Sequence, residues 1–227
     1  MKQKFTILFD LDGTLVDTAP DLMNAHNYVM KKFGYPTKST DEIRNLVGKG
    51  AGAMIGRSIW GQAKKEFSRV TDQKIKDEMV KEFINFYGKN INNDSTLING
   101  IKEFLKWCKD QNISMAVCTN KQEYLSIDLL KKIGIYDFFE YVAGSDTFDY
   151  CKPDPRHLTT VVEILDGDIN KTLMFGDSET DANAAKAAEI PVILLENGYT
   201  EKNTTEIYHN HLIKDYVGVE KIVAEYL

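Results

Sequence analysis

The stretch FTILFDLDGTLVDT, residues 5–18, decides how the rest of the chain is interpreted. It opens with five apolar or β-branched residues, the pattern of a strand that is buried on both faces. Asp10 and Asp12 follow directly, with one residue between them. Carboxylates this close repel each other, and a strand end is a costly place to bury them without a compensating charge. The pair therefore either lies in a solvated turn or has a cation beside it.

The composition is that of an ordinary globular protein. The 227 residues are 43% hydrophobic and 27% charged, which suits one large domain or one domain with a smaller one inserted. The net charge of −6 argues against nucleic acid or an anionic membrane as a partner. Three cysteines without a CxxC motif favour neither a disulfide framework nor a zinc site. Without a signal-peptide pattern or a run of roughly 20 apolar residues, we expect a soluble cytoplasmic protein, monomeric or weakly dimeric.

Short apolar runs recur further along the chain. They are near-continuously apolar rather than alternating, as in strands that are covered on both faces. The four runs are ISMAVC (113–118), YVAG (141–144), TLMF (172–175) and PVILL (191–195). Helical patterns lie between most of them, at 99–111, 124–134 and 178–190. This alternation predicts an α/β fold with a doubly wound, Rossmann-like parallel sheet.

Residues 18 to about 91 interrupt this alternation and contain no convincing strand. Helical patterns cover 18–34, 40–60 and 71–90. The first pattern begins with a Thr-x-x-Asp cap at Thr18 and ends at Gly34, a natural C-terminal stop. These residues therefore predict a helical insertion.

The insertion implies two domains. We predict a core domain built from residues 1–17 and 92–227, and an inserted all-α cap domain at residues 18–91. His209 and His211 lie in a polar C-terminal segment of the core, and we interpret them as surface residues.

Polar side chains follow the predicted strands at the points where the strands end. In an open parallel sheet, ligands bind beyond the carboxyl ends of the strands. Lys152 precedes a proline, which favours an extended or turn conformation over a helix. We expect all of these side chains to converge on one edge of the sheet. They are Asp10, Asp12, Thr119, Asn120, Lys152, Asp177 and Asp181.

The charges of this set indicate phosphoryl chemistry with a metal ion. Four carboxylates would meet the single positive charge of Lys152, and hard oxygen ligands around a small site suit Mg²⁺, which pairs with substrate phosphate. With the metal in place, one carboxylate can act as the nucleophile and form an aspartyl-phosphate. A second carboxyl, kept protonated by its neighbours, can protonate the leaving oxygen and then activate water.

These residues resemble the four motifs of the haloacid dehalogenase superfamily, in order and across nearly the whole chain. The matching stretches are DLDGTLVDT (10–18), CTN (118–120), KPDP (152–155) and GDSETD (176–181). The resemblance implies that Asp10 is the nucleophile and Asp12 the general acid/base, and that Thr119 and Lys152 bind the phosphoryl group. It also implies that Mg²⁺ is held by a side-chain oxygen of Asp10, the backbone carbonyl of Asp12 and Asp177, with Asp181 in support.

The helical insertion resembles the type 1 cap of this superfamily. Within it, LVGKGAGAMIGRSI (46–59) resembles the glycine-rich stretch in the cap of bacterial phosphoglycolate phosphatases, which implies 2-phosphoglycolate as the substrate. Backbone amides at a glycine-rich helix start around Gly50 would approach the substrate carboxylate. The expected substrate-binding residues are Gly50, Arg57, Thr119, Asn120 and Lys152, with Lys49 as an alternative cation.

Other activities remain open on the sequence alone. A phosphomutase of the β-phosphoglucomutase type and a pyrophosphatase of the same subfamily have similar motifs and caps. A halide-releasing dehalogenase is disfavoured because those relatives lack the second aspartate of the first motif, whereas Asp12 is present. A non-catalytic binding protein of the same fold is disfavoured by the intact Asp10, Lys152 and Asp177.

Overall fold

The structure is a computed structural model that describes residues 4–60 and 70–227. The strands are β1 (Thr6–Phe9), β2 (Val16–Asp17), β3 (Thr96–Leu97), β4 (Ser114–Cys118), β5 (Tyr141–Ala143), β6 (Thr172–Gly176), β7 (Val192–Leu195) and β8 (His211–Ile213). The helices are α1 (Ala19–Phe33), α2 (Thr40–Arg44), α3 (Ala51–Trp60), α4 (Val70–Lys89), α5 (Ile101–Asp110), α6 (Glu123–Ile133), α7 (Arg156–Ile164), α8 (Glu179–Ala187) and α9 (Glu220–Val223).

Six strands form one parallel sheet in the order β5-β4-β1-β6-β7-β8. Every residue of β1, β4, β6 and β7 is buried, because helices cover both faces of the sheet. Strand β1 lies centrally, with β4 on one side and β6 on the other. The predicted α/β fold with a doubly wound sheet is confirmed.

The sixth strand, β8, has no counterpart among the predicted strands. It pairs with β7 at the edge of the sheet and contains His211, which we had interpreted as a surface residue. The imidazole of His211 is half-buried, and its Nε2 lies 2.9 Å from the hydroxyl of Tyr226. Strand β8 is three residues long and only partly buried, so it lacks the longer apolar run that marks the central strands.

Four helices, α1 to α4, lie between β2 and β3, where the sequence predicts a helical insertion. Helix α1 packs along α4, with the rings of Tyr28 and Phe86 stacked 4.2 Å apart. The two-stranded ribbon of β2 and β3 marks both ends of the insertion. Residues 61–69, which belong to the predicted cap, lie outside the described residues. The division into a core and a cap domain at residues 18–91 stays a prediction.

The helical pattern over 40–60 does not run unbroken through the glycine-rich stretch, where a helix start is expected. The chain instead forms α2 and α3, separated by a loop at residues 45–50. Gly48 and Gly50 adopt positive φ angles of 92° and 81°, a left-handed conformation that lets the loop turn between the two helices.

The helix starts at Thr18 as predicted, but the predicted side-chain cap is wrong. Thr18 occupies the N-cap position of α1 but makes no side-chain bond to the helix backbone. Its hydroxyl donates to Asp12 Oδ1 at 2.7 Å, and Asp21 accepts hydrogen bonds from Ser95 rather than closing a capping box. Both side chains therefore bind residues outside the helix instead of forming a capping box. Within the described residues, no helix combines the length and the apolar character needed to cross a membrane.

Candidate active site

Three neighbouring strands end at the same edge of the sheet, and each is followed by a polar residue. Phe9 of β1 is in register with Val117 of β4 and Phe175 of β6, so the chain leaves all three strands at nearly the same height. The residues that follow soon after are Asp10, Thr119 and Asp177, which are all buried. The backbone N–H of Asp10 continues the ladder by donating to the carbonyl of Phe175 at 2.9 Å. The parallel register therefore sets the spacing of the site.

Lys152 reaches this edge from the loop before α7. Its ammonium Nζ lies 2.8 Å from Asp10 Oδ1 and 2.6 Å from Asp181 Oδ1. The lysine is only 3% exposed, so water screens these ion pairs little. One buried ammonium thus connects the first, third and fourth sequence motifs.

Asp181 and Asp177 are held by backbone N–H groups as well as by charge. Asp181 Oδ2 accepts hydrogen bonds from the backbone N–H groups of Asp177 and Ser178, each at 3.1 Å, and from the Ser178 hydroxyl at 2.7 Å. Asp177 Oδ2 accepts a hydrogen bond from the backbone N–H of Tyr199 at 2.6 Å. Asp181 lies in the first turn of α8, where the helix dipole favours a negative charge.

The buried carboxylates have strongly shifted acidities. Burial raises the pKa of Asp10 to about 6, although Lys152 partly offsets this effect. Burial, together with the charges of Asp181 and Asp10, raises the pKa of Asp177 well above its usual value. For Asp181, burial acts in the same direction, but Lys152 and the Ser178 hydrogen bonds hold its pKa below the usual value. The site therefore has more carboxylates than Lys152 can keep ionised.

This excess of buried negative charge fits a metal ion. Ligand oxygens of Asp10, Asp177 and Asp181 all lie within 4.8 Å of one another. Hard carboxylate oxygens at this spacing suit a divalent cation, which would keep Asp10 and Asp177 ionised at neutral pH. Since Asp181 is already satisfied by Lys152 and by the start of α8, it is the least available of the three.

Asp12 is held separately, by a lysine that the sequence motifs did not include. Lys121 Nζ lies 2.8 Å from Asp12 Oδ1 and 3.0 Å from Oδ2, and Thr18 donates a third hydrogen bond. The same ammonium lies 4.4 Å from the ring centroid of Tyr87, a residue of α4. Contacts from the insertion and from the core therefore orient the Asp12 carboxylate.

A cavity of about 590 Å³ opens above these groups. Its floor contains Asp10, Asp12, Thr119 and Lys152, and its opposite wall comes from the helical insertion. The wall residues are largely apolar, apart from the loop before α3 and its lysine; they are Leu22, Val47, Gly48, Lys49, Gly50, Ala51, Gly52, Met54, Val80, Phe83, Ile84 and Tyr87.

The predicted substrate-binding residues divide into two groups in the structure. Gly50 lines the cavity, and Asn120 also donates hydrogen bonds to the backbone carbonyls of Gly48 and Lys152 at 3.2 and 2.8 Å. Asn120 thus joins the loop at residues 45–50 to the core. Arg57 does not line the cavity, because its guanidinium pairs with Glu201 in the loop after β7.

Two further residues escaped the sequence reasoning. Lys121 follows the CTN motif immediately, so its position beside Thr119 and Asn120 was an available signal. Tyr199 had no comparable signal. Its backbone N–H binds Asp177, while its hydroxyl accepts a hydrogen bond from the backbone N–H of Ala19 at the start of α1.

A doubly wound sheet with an inserted helical element, and acidic residues at the ends of its central strands, is the architecture of the haloacid dehalogenase-like hydrolases. The model of that family matches residues 7–195, and this chain belongs to the family. The resemblance of the four motifs to the superfamily is therefore confirmed.

The chain is similar to several named proteins over nearly its whole length. It is 37% identical to a phosphoglycolate phosphatase of Mesorhizobium japonicum, with 97% of this chain and 95% of the relative covered. It is 36% identical to a phosphoglycolate phosphatase of Caulobacter vibrioides, with 95% and 89% covered. Among solved structures, a predicted phosphoglycolate phosphatase from Haemophilus somnus superposes with a TM-score of 0.88 at 30% identity, covering 98% of this chain and 99% of the other.

Proposed function

We propose that this protein is a Mg²⁺-dependent phosphomonoester hydrolase that works through an aspartyl-phosphate on Asp10, and that 2-phosphoglycolate is its substrate. The observation that carries the proposal is the contact of Asp10 with Lys152, at the edge of the sheet where Asp177 and Asp181 also meet. The relatives named phosphoglycolate phosphatase support the choice of substrate. A cytoplasmic location and a monomeric or weakly dimeric state belong to the same proposal.

In the first step, a carboxylate oxygen of Asp10 attacks phosphorus, and the bond from phosphorus to the ester oxygen breaks. Lys152, already 2.8 Å from Asp10, balances the charge on the phosphoryl oxygens, and the Thr119 hydroxyl binds one of them. Asp12 donates a proton to the leaving oxygen, which departs as an alcohol. When bound, Mg²⁺ would be held by Asp10, Asp177 and the backbone carbonyl of Asp12, with Asp181 in support, and would supply positive charge for the transferring phosphoryl group.

In the second step, Asp12 takes a proton from water as the water oxygen attacks the phosphorus of the aspartyl-phosphate. The acyl phosphate bond breaks, phosphate leaves, and the Asp10 carboxylate is restored. Asp12 thus serves first as acid and then as base, which requires a fixed position between the leaving oxygen and water. The contacts with Lys121 and Thr18 supply that position.

The substrate part of the proposal depends on the cap. Asp10, Thr119 and Lys152 bind the phosphoryl group, so selection among esters falls to the other residues of the cavity, many of which lie in the insertion that we propose to be the cap domain at residues 18–91. Gly50 and the first residues of α3 line the cavity, and we propose that their backbone N–H groups approach the small carboxylate. The volume of about 590 Å³ exceeds what 2-phosphoglycolate fills, and its apolar wall also suits esters with larger apolar alcohol parts.

The test is phosphate release from 2-phosphoglycolate, ethyl phosphate, an aryl phosphate and esters of larger apolar alcohols. We expect release that requires Mg²⁺, stops after chelation and returns when Mg²⁺ is restored. Ca²⁺ should inhibit, because its longer bonds and higher ligand number misplace Asp10 relative to phosphorus. Release that chelation does not change would contradict the metal-dependent mechanism. A kcat/KM for 2-phosphoglycolate no higher than for the other esters would refute the substrate but leave the phosphatase proposal standing.

A further inference from the structure

Lys121 is the buried cation of the cavity whose role the mechanism above leaves incomplete. Among the described residues, the cationic side chains that line the cavity are Lys49, Lys121 and Lys152. Lys152 is committed to Asp10 and Asp181 on the phosphoryl side. We propose that Lys121 binds the anionic group that the substrate carries next to its ester oxygen, and thereby determines specificity for anionic alcohols. This inference rests on the proposed phosphatase function.

Position is the first argument. In the proposed reaction Asp12 must touch the leaving oxygen, and Lys121 Nζ lies 2.8 and 3.0 Å from the two oxygens of that carboxylate. A group attached one or two bonds beyond the leaving oxygen therefore passes close to this ammonium. In 2-phosphoglycolate that group is a carboxylate.

Donor capacity is the second argument. An ammonium carries three N–H donors, and Lys121 contacts the Asp12 carboxylate on one side and the face of the Tyr87 ring on another. Both neighbours also line the cavity, so an anion entering it can meet the remaining donor capacity. The ring face and the Asp12 carboxylate keep the ammonium in place before the substrate arrives, which reduces the entropy lost on binding.

Burial separates Lys121 from the cations of the insertion. Lys121 is 9% exposed, whereas Lys49 is exposed on its loop and Arg57 is paired with Glu201 away from the cavity. A charge-assisted contact gains strength where water is excluded, and an exposed pair contributes little. The structure therefore favours a core residue over the cap cations as the group that recognises the substrate anion.

The experiment compares 2-phosphoglycolate with ethyl phosphate, which lacks only the carboxylate oxygens. Lys121 also positions Asp12, so Lys121→Met will slow both substrates. The informative quantity is the ratio of their kcat/KM values, because the loss through Asp12 affects both alkyl esters and cancels. We expect this ratio to fall about ten- to hundredfold in Lys121→Met, the effect of one buried charge-assisted hydrogen bond. Lys121→Arg, which keeps the charge, should restore part of the ratio.

The controls separate this inference from the proposed function. Lys131→Met removes a lysine that lies 4.8 Å from a tyrosine ring outside the cavity and should leave the ratio unchanged. An unchanged ratio in Lys121→Met, with both rates reduced in parallel, would overturn the inference and leave the phosphatase proposal intact. A fall of this ratio in Lys49→Met but not in Lys121→Met would overturn the inference and assign the substrate anion to the cap. Absence of phosphate release from every ester in the unmodified protein would overturn both.

Discussion

The two ends of the cavity differ in charge and in burial. The core end is charged and buried, and its groups bind one another: Lys152 joins Asp10 to Asp181, and Lys121 joins Asp12 to the face of Tyr87. The cap end is mostly apolar, and its polar part is a loop with two left-handed glycines and an exposed lysine. Under the proposals above, the core end carries out the reaction on the shared phosphoryl group and, through Lys121, binds the substrate anion, whereas the cap end encloses the rest of the alcohol.

This difference between the two ends also predicts where substitutions should have large effects. At the core end each side chain has buried partners, so removing one leaves another charge without compensation. At the cap end the backbone conformation of a short loop matters more than any one side chain. We therefore expect losses of activity from the core, with a change of selectivity at Lys121, smaller changes of selectivity from the loop, and little from cap residues that point elsewhere.

The largest effect is expected for Asp10→Asn at the core end. The amide keeps the shape of the side chain but removes the nucleophilic charge, so phosphate release should fall by at least about a thousandfold while the fold is retained. Stopped assays of phosphate release and circular dichroism check the two halves of this expectation. Asp128→Asn, in an exposed pair with Lys132, is the matched control. Substantial residual turnover, with deamidation excluded by mass spectrometry, would contradict an aspartyl-phosphate.

The next-largest effect concerns the pH dependence of stability, through His157, a buried residue of α7. Burial and, secondarily, Lys152 lower the pKa of His157 to about 4. In the unfolded chain His157 takes a proton below about pH 6.5, whereas the folded protein resists it until about pH 4. His157 therefore leaves the free energy of unfolding unchanged above pH 6.5. As the pH falls to 4, it lowers that free energy by up to about 3 kcal/mol.

Urea unfolding at pH 7.5 and pH 5.0 tests this expectation. His157→Leu replaces the buried ring with an apolar side chain and should reduce the loss of stability between the two pH values by about 2 kcal/mol. His209→Leu, at a half-buried histidine near β8, serves as the matched control. Equal pH dependence in His157→Leu and the unmodified protein would show that the histidine is not shielded from protons.

A smaller, selective effect is expected for Gly50→Val at the cap end. A β-branched residue is strained at the positive φ of 81°, by about 1–2 kcal/mol, and the loop should shift away from the cavity. We expect KM to rise about tenfold for 2-phosphoglycolate and less for an aryl phosphate, whose binding makes no carboxylate contact.

Gly34→Val provides a close control for this variant. Gly34 also has a positive φ, of 75°, but follows α1 and does not line the cavity. It should lower stability by a similar amount and leave KM unchanged. A parallel rise of KM for both substrates in Gly50→Val would mean that the loop is structural and does not select.

The smallest effect is expected for Arg57→Ala. Since its guanidinium pairs with a half-exposed Glu201 outside the cavity, both substrates should change by less than about threefold and in parallel. Steady-state kinetics on 2-phosphoglycolate and an aryl phosphate measure this directly. A selective rise of KM for 2-phosphoglycolate would restore the earlier expectation that Arg57 binds its carboxylate.

Sequence patterns predicted five of the six strands of the parallel sheet and the residues at its active edge. Local signals sufficed, because a buried parallel strand is continuously apolar and its first polar residue marks the carboxyl end. Adjacent parallel strands bring those ends together, so Asp10, Thr119 and Asp177 could be placed without long-range information. Gly34 and Gly134, which end α1 and α6, are equally local signals.

Contacts between distant parts of the chain, in contrast, determine which charges meet. Asp12 and Lys121 are 109 positions apart, and Arg57 turns to Glu201 because of how α3 is directed after the loop at 45–50. The edge strand β8 and the loss of the Thr18 cap likewise depend on distant partners. The shifted pKa values of Asp10 and Asp177 arise from burial, which is a property of the packed chain. A sequence pattern specifies local conformation, whereas the pairing of buried charges depends on which distant groups the fold brings within a few ångströms.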